Sequence, residues 1–150
     1  MQAKTFFDNI KELLEDGQSV IVPVPGYSME PFLFPSCDKV IIKAYDGNLK
    51  PGDIPIYKRG EFIYVLHRVV KVDGEFFYAI GDKETVVEGP IPRENIIAIT
   101  QKAIYNGKEL TEHSFRWKFY SRIWRRIIKP RPLFIRIIFK IRRMQGKNIT

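Results

Sequence analysis

The chain has one cysteine, two histidines and, after residue 116, no acid at all. Each shortage excludes something. A lone Cys37 can neither close an internal disulfide nor build a zinc site, so compartment is not readable from cysteine and no cofactor is expected. No stretch reaches the roughly 18 uncharged apolar residues that a membrane span needs. The N-terminus lacks the layout of a secretory leader, because Asp8, Lys11, Glu12, Glu15 and Asp16 interrupt any apolar run. The expectation is a protein that stays in the cytoplasm, peripheral at the inner membrane face if its tail docks there. With only His67 and His113 in the chain, the choice of a histidine base is nearly forced.

What is present is unevenly spread. Net charge is +8, yet twelve Lys or Arg lie from Arg116 onward with no Asp or Glu among them. The body before Arg116 is therefore mildly acidic and carries a strongly basic tail, a split that implies two jobs. At 150 residues the chain is long enough for one domain with a buried core. It divides into an N-terminal helix (1–17), a β-rich body (18–112) and a basic amphipathic tail (113–150).

Phe6, Phe7, Ile10, Leu13 and Leu14 recur at three- and four-residue spacing and predict a helix over residues 3–16, stopped by Gly17. From Ser19 the period shortens. Strands are predicted around Val20–Val24, 39–43, 53–57, a long run 62–72, 75–80 and 96–105. Turn signals separate them, Asp73-Gly74 and Asn106-Gly107 among them. Pro55 inside the third run predicts an edge position or a bulge. The fold class is mainly β: a folded antiparallel sheet body with a short leading helix and a helical tail. In that tail Trp117, Tyr120, Ile123, Trp124, Ile127 and Ile128 keep helical spacing. Pro130 and Pro132 interrupt, and Leu133, Phe134, Ile137, Ile138 and Ile141 resume, which reads as two helices about a proline hinge.

Gly26-Tyr27-Ser28-Met29-Glu30-Pro31 carries the most chemical information. It sets a hydroxyl residue at a turn between a glycine and a proline. Thirty-nine residues on stands His67, and fifteen beyond that Asp82. A serine hydroxyl is a weak nucleophile until a base takes its proton, and a histidine does so near neutral pH. An acid on the far ring nitrogen fixes the tautomer and stabilises the imidazolium. Backbone N–H groups at a turn such as Gly26 to Met29 can hold the oxyanion. Ser28, His67 and Asp82 are thus the candidate nucleophile, base and orienting acid, with Glu84 and Glu88 as alternative acids. Asp53 reads as a turn-holding residue, Glu30 as a solvated loop acid, His113 as exposed, and Cys37 and Lys71 as weak competitors for a catalytic role.

The ordered string Gly-x-Ser-Met-x-Pro, Asp38-Lys39-Val40, Gly52-Asp53-Ile54, His67-Arg68-Val69 and Gly81-Asp82 resembles the signal peptidase I and LexA-like superfamily of serine peptidases (S24/S26 families). The likeness covers roughly residues 20–100. A histidine at the second catalytic landmark resembles the archaeal and endoplasmic-reticulum type, which uses Ser, His and Asp, rather than the Ser-Lys type. The resemblance implies a serine endopeptidase that works through an acyl-enzyme, with Ser28 as nucleophile and His67 as base. It departs at Gly26, where several signal peptidases carry a serine that lends a hydroxyl to the oxyanion hole, at Cys37 in place of glycine, and in the lack of an N-terminal span.

The partners expected are a peptide or protein substrate and, through residues 114–145, an anionic membrane surface. Regular apolar spacing with tryptophan and isoleucine favours lipid over nucleic acid for that tail. Two rivals come from other classes. One is a peptide-binding module that keeps the fold without turnover. The other is a self-cleaving DNA-binding regulator, disfavoured because about 17 residues before the body are too few for a helix-turn-helix.

Overall fold

The computed structural model describes residues 3–146. Lys147, one of the twelve tail cations, lies outside them. Helix α1 (Ala3–Glu15) is followed by nine strands: β1 (Val20–Pro23), β2 (Lys39–Ala44), β3 (Pro55–Arg59), β4 (Ile63–Leu66), β5 (Arg68–Asp73), β6 (Phe76–Ile80), β7 (Glu88–Pro92), β8 (Ile96–Tyr105) and β9 (Lys108–Leu110). Helices α2 (Phe115–Arg122) and α3 (Arg131–Met144) close the chain. The molecule is mainly β with helices at both ends, as its sequence pattern predicts.

Phe7, Ile10 and Leu14 form the buried stripe of α1. The helix ends where Gly17 takes φ 80°: Gln18 N–H reaches Leu13 O and Gly17 N–H reaches Leu14 O, both at 3.0 Å. This is a Schellman close, which satisfies carbonyls that the helix end leaves open.

The strands form two antiparallel sheets. One runs β1-β2-β8-β3-β4 with β9 also on β8, and the other runs β5-β6-β7. Helix α1 packs on β1 and β2 and also on β4, at the opposite end of the strand order. The larger sheet is therefore curled, and its two edges approach each other under the helix. Register shifts at Ile41/Ile42 and Ile56/Tyr57 supply bends of the kind that curl a sheet.

The elements differ from the sequence expectation in four places. The run 62–72 is not one strand. It breaks at His67, with β4 in the large sheet and β5 in the small one. Its β-branched residues favour extended backbone on both sides, and only packing decides where the chain changes sheets. Pro55 is not on an edge, because β3 lies between β8 and β4. It opens the strand, where its missing N–H costs least, and the bulge lies just after it. Strand β7 was not expected, as Gly89, Pro90 and Pro92 disguise it. The fourth difference is β9, which pairs back on β8 across Asn106-Gly107 (φ 50° and 76°).

The basic tail shares the core. Trp117, Tyr120, Trp124 and Ile135 join Val22, Val40, Ile42, Ile56 and Leu66 in one apolar cluster. This overturns the expectation that Trp117 and Trp124 lie at lipid headgroups. Each ring buries a large apolar area against the body, and Trp124 Nε1–H also finds a carbonyl there, at Asp82 O, 2.9 Å. No helix among the described residues is long and apolar enough to cross a membrane.

Candidate functional site

Ser28 leaves edge strand β1 and His67 leaves edge strand β4, so the curl of the large sheet brings together two residues 39 apart in sequence. Gly26 takes φ 69°, turning the chain out of β1. The turn at 28–32 is closed by Leu33 N–H on Met29 O at 3.1 Å. Met29 is fully buried beneath it, while Ser28 stays half-buried. Asp38 fixes the far end of the loop: its carboxylate accepts from Phe34 N–H (2.8 Å) and from Asn106 N–H (3.2 Å).

Ser28 Oγ lies 3.1 Å from His67 Nε2. His67 is buried, and burial lowers its pKa from the ordinary value, against the pull of Glu84 and Glu88. A neutral imidazole near pH 7 is the form that accepts a proton.

The far nitrogen, Nδ1, meets Tyr57 OH at 3.2 Å and Glu88 Oε1 at 3.9 Å. The Tyr57 hydroxyl in turn donates to Glu88 Oε1. Glu88 Oε2 takes Arg59 Nε at 2.6 Å. Burial opposes the Glu88 carboxylate, but the Arg59 and Tyr57 hydrogen bonds outweigh it and hold Glu88 below its usual range. Tyr57 is pushed the other way, up, by burial and then by Glu88. Tyr57 therefore keeps its proton and donates it to Glu88, which leaves its oxygen free to accept from His67 Nδ1–H. With Nδ1 carrying the hydrogen, Nε2 presents its lone pair to the Ser28 hydroxyl. The chain reads Ser28, His67, Tyr57, Glu88, Arg59.

Asp82, expected to orient His67, does something else. Its two oxygens accept from Arg68 Nε (2.9 Å) and Nη2 (2.8 Å), and both side chains are fully buried. The planar guanidinium claims the carboxylate bidentately, and the ring nitrogens of His67 meet Ser28, Glu84, Tyr57 and Glu88 instead. Arg68 also donates to Gly52 O at 3.2 Å and lies 4.8 Å from the centre of the Phe32 ring. The pair ties the Gly52-Asp53 turn, the loop after Ser28 and the Gly81-Asp82 corner together.

Of the alternative acids, Glu88 is on the orienting side, reached through Tyr57. Glu84 is on the reacting side: its Oε1 lies 3.2 Å from Nε2, the nitrogen that faces Ser28. The sequence reading missed Tyr57. Its alternation with Ile56 across a strand was available, since neighbouring side chains point to opposite faces, but the bulge that aims it at His67 was not. Tyr57 is held by Phe77, edge to face at 5.4 Å.

Other expectations fall out plainly. Glu30 is not solvated; it is fully buried, with Lys83 Nζ 3.4 Å from its Oε1. Asp53 accepts Lys50 N–H at 2.9 Å and does hold a turn. His113 is exposed beside Glu112. Lys71 is exposed on the Tyr78 ring. Cys37 is exposed, and burial of its thiol followed by the nearby Asp38 charge raises its pKa, which keeps it a poor nucleophile. A surface groove lined by Lys50, Asp53, Trp117 and Ser121 among others contains neither Ser28 nor His67.

Three tail residues brace the site loops through carbonyls. Arg116 donates to Pro31 O and to Phe32 O, the latter at 2.8 Å. Trp124 holds Asp82 O, and Arg131 Nη1 holds Gly81 O (3.1 Å) and Glu84 O (3.0 Å).

Gly81 packs tightly against the Ser28 turn. A Cβ there would lie 2.7 Å from Ser28 O and 2.9 Å from Ser28 Cβ, closer than atoms can pack. Gly81→Ala is therefore expected to displace Ser28, at about 1–3 kcal/mol in stability. The measurement is thermal unfolding beside Ser28 reactivity. Wild-type reactivity in the variant would mean the loop gives way freely.

No family model, curated protein or solved structure matches the chain. The functional reading rests on its own residues.

Proposed function

We propose that this chain is a serine endopeptidase of the signal peptidase I and LexA-like kind, of the Ser-His branch. The observation that carries this is the 3.1 Å approach of Ser28 Oγ to His67 Nε2 with a donor-ordered chain behind the imidazole. The five ordered sequence landmarks support it independently.

In this reading a peptide lies extended beside edge strand β1, adding a strand through backbone hydrogen bonds, with its scissile carbonyl at Ser28. His67 Nε2 takes the Ser28 proton as Oγ attacks that carbonyl carbon. The imidazolium is stabilised through Nδ1–H on Tyr57 and Glu88, and by Glu84 beside Nε2. Gly26 offers no hydroxyl, so backbone N–H groups of the turn stabilise the oxyanion. His67 returns the proton to the departing amine, and the acyl group stays on Ser28. Water, activated by the same nitrogen, releases it and restores the serine.

A second reading is a peptide-binding module without turnover. It is favoured by Glu84 Oε1, which at 3.2 Å competes with Ser28 for Nε2. A fluorophosphonate, which needs a base-activated serine, separates the two. The expected result is one adduct whose mass maps to the peptide holding Ser28 and which is absent in Ser28→Ala. No adduct on the wild-type chain, or an equal adduct on Ser28→Ala, leaves the binding module.

A further inference from the structure

Helix α3 has two differently used sides. Arg131, Ile135 and Arg142 face inward and are buried, with Arg142 3.7 Å above the Phe34 ring. At about 100° per residue, Leu133, Ile137, Ile141 and Met144 fall on one outward row spanning three turns. They are 58%, 47%, 49% and 78% exposed. Arg136, Lys140 and Arg143 form the adjoining outward row and are exposed as well. No acid lies anywhere from Arg116 onward.

An apolar row left in water is costly, and the row of cations beside it favours an anionic cover. We infer that the outer face of α3 is a docking surface for an anionic lipid bilayer. The apolar row enters the headgroup boundary while Arg136, Lys140 and Arg143 reach lipid phosphates. Their long stems can lie along the apolar row and keep the charges outside. At 14 residues α3 is about 21 Å long, too short to cross the roughly 30 Å hydrocarbon core, so it lies on the surface. Two other occupants fit less well. Nucleic acid would satisfy the cations and leave the apolar row wet. A second copy packed on the apolar row would bring two cationic rows together.

The docking face is rigidly linked to the candidate site, since Arg131 at the start of α3 holds the carbonyls of Gly81 and Glu84. Docking would hold the Ser28 site near the bilayer surface. That clause rests on the peptidase reading; lipid binding itself does not.

The test is sedimentation of the full chain with vesicles. Binding is expected to phosphatidylcholine–phosphatidylglycerol vesicles and not to phosphatidylcholine alone. It should weaken steeply toward about 1 M salt, where charges are screened within ~3 Å. Neutralising Arg136, Lys140 and Arg143 together to Gln should weaken it on the order of 100-fold. Leu133→Ser with Ile137→Ser should weaken it at unchanged charge. All five positions are exposed, and unchanged thermal unfolding confirms that the variants fold. Equal binding to neutral vesicles, binding unaffected by both variants, or binding to duplex DNA with none to vesicles would overturn the inference. So would a dimer in solution, lost on Ile137→Ser, with no vesicle binding. Fluorophosphonate labelling without vesicles reports Ser28 separately, so failure of one reading leaves the other standing.

Discussion

His67→Ala is expected to slow fluorophosphonate acylation of Ser28 by about 10²–10⁴-fold, the usual worth of a positioned general base. Among the described residues no other base is placed to replace it. The other histidine is exposed beside Glu112, and Lys71 is exposed on Tyr78. Glu84 lies beside the Ser28 side of the ring, and a carboxylate is a much weaker base. Tyr57→Phe separates orientation from proton transfer. It removes the oxygen that faces Nδ1 while keeping the ring against Phe77. Leaving that buried donor without this partner costs ~1–3 kcal/mol, or roughly ten- to a hundred-fold in rate. The pH profile adds a second readout. His67 must be neutral to act, and burial lowers its pKa, so acylation should persist at pH values below the ordinary histidine range of about 6.5. The Glu84 charge raises that pKa, so Glu84→Gln should move the acid limb to still lower pH. An acid limb that moves up in Glu84→Gln, or Tyr57→Phe kinetics identical to wild type, would sink the proposed chain from Ser28 to Arg59.

Asp82→Ala should destabilise the fold by about 3–5 kcal/mol, because it strands a fully buried Arg68 guanidinium. For a domain of this size each kcal/mol is worth roughly 2–4 °C in Tm, so a fall of about 6–20 °C is expected. Arg68→Met with Asp82→Leu should recover most of it, since a buried ion pair replaced by packed apolar groups is often neutral. The same experiment decides what Asp82 is for. An Asp82→Asn chain with wild-type Tm and lost acylation would return Asp82 to the role of orienting acid. A lowered Tm with acylation retained in the folded fraction fits a structural brace.

How much was readable depended on whether the signal was local. Phe7, Ile10 and Leu14 announce their helix because helical contacts are set by spacing along the chain. Asn106-Gly107 likewise announces its turn. The serine at 28 and the histidine at 67 could be named because few residue types can do their chemistry and the chain offers few of them. Tyr57, Glu88 and Arg59 could not be assembled in the same way. They belong to two sheets, and a bulge after Ile56 decides which way Tyr57 points. Asp82 shows a related limit. Sequence order suggests an acid for the histidine, but the buried neighbour that competes for it is Arg68, next to His67 in the chain.

The tail shows the same division. Composition alone set its sign, twelve cations without an acid, and periodicity set its helices. Neither could say which side faces in. Trp117 and Trp124 went to the core, and Arg116 and Arg131 turned inward because loop carbonyls there accept their hydrogens. The sequence by itself determined the fold class, the candidate nucleophile and base, and the charge of the tail, because periodicity and residue chemistry are properties of the chain. The tertiary structure decided which groups lie around His67, what Asp82 holds, and which face of α3 remains open. Those depend on competition among groups far apart in sequence, and only packing settles a competition of that kind.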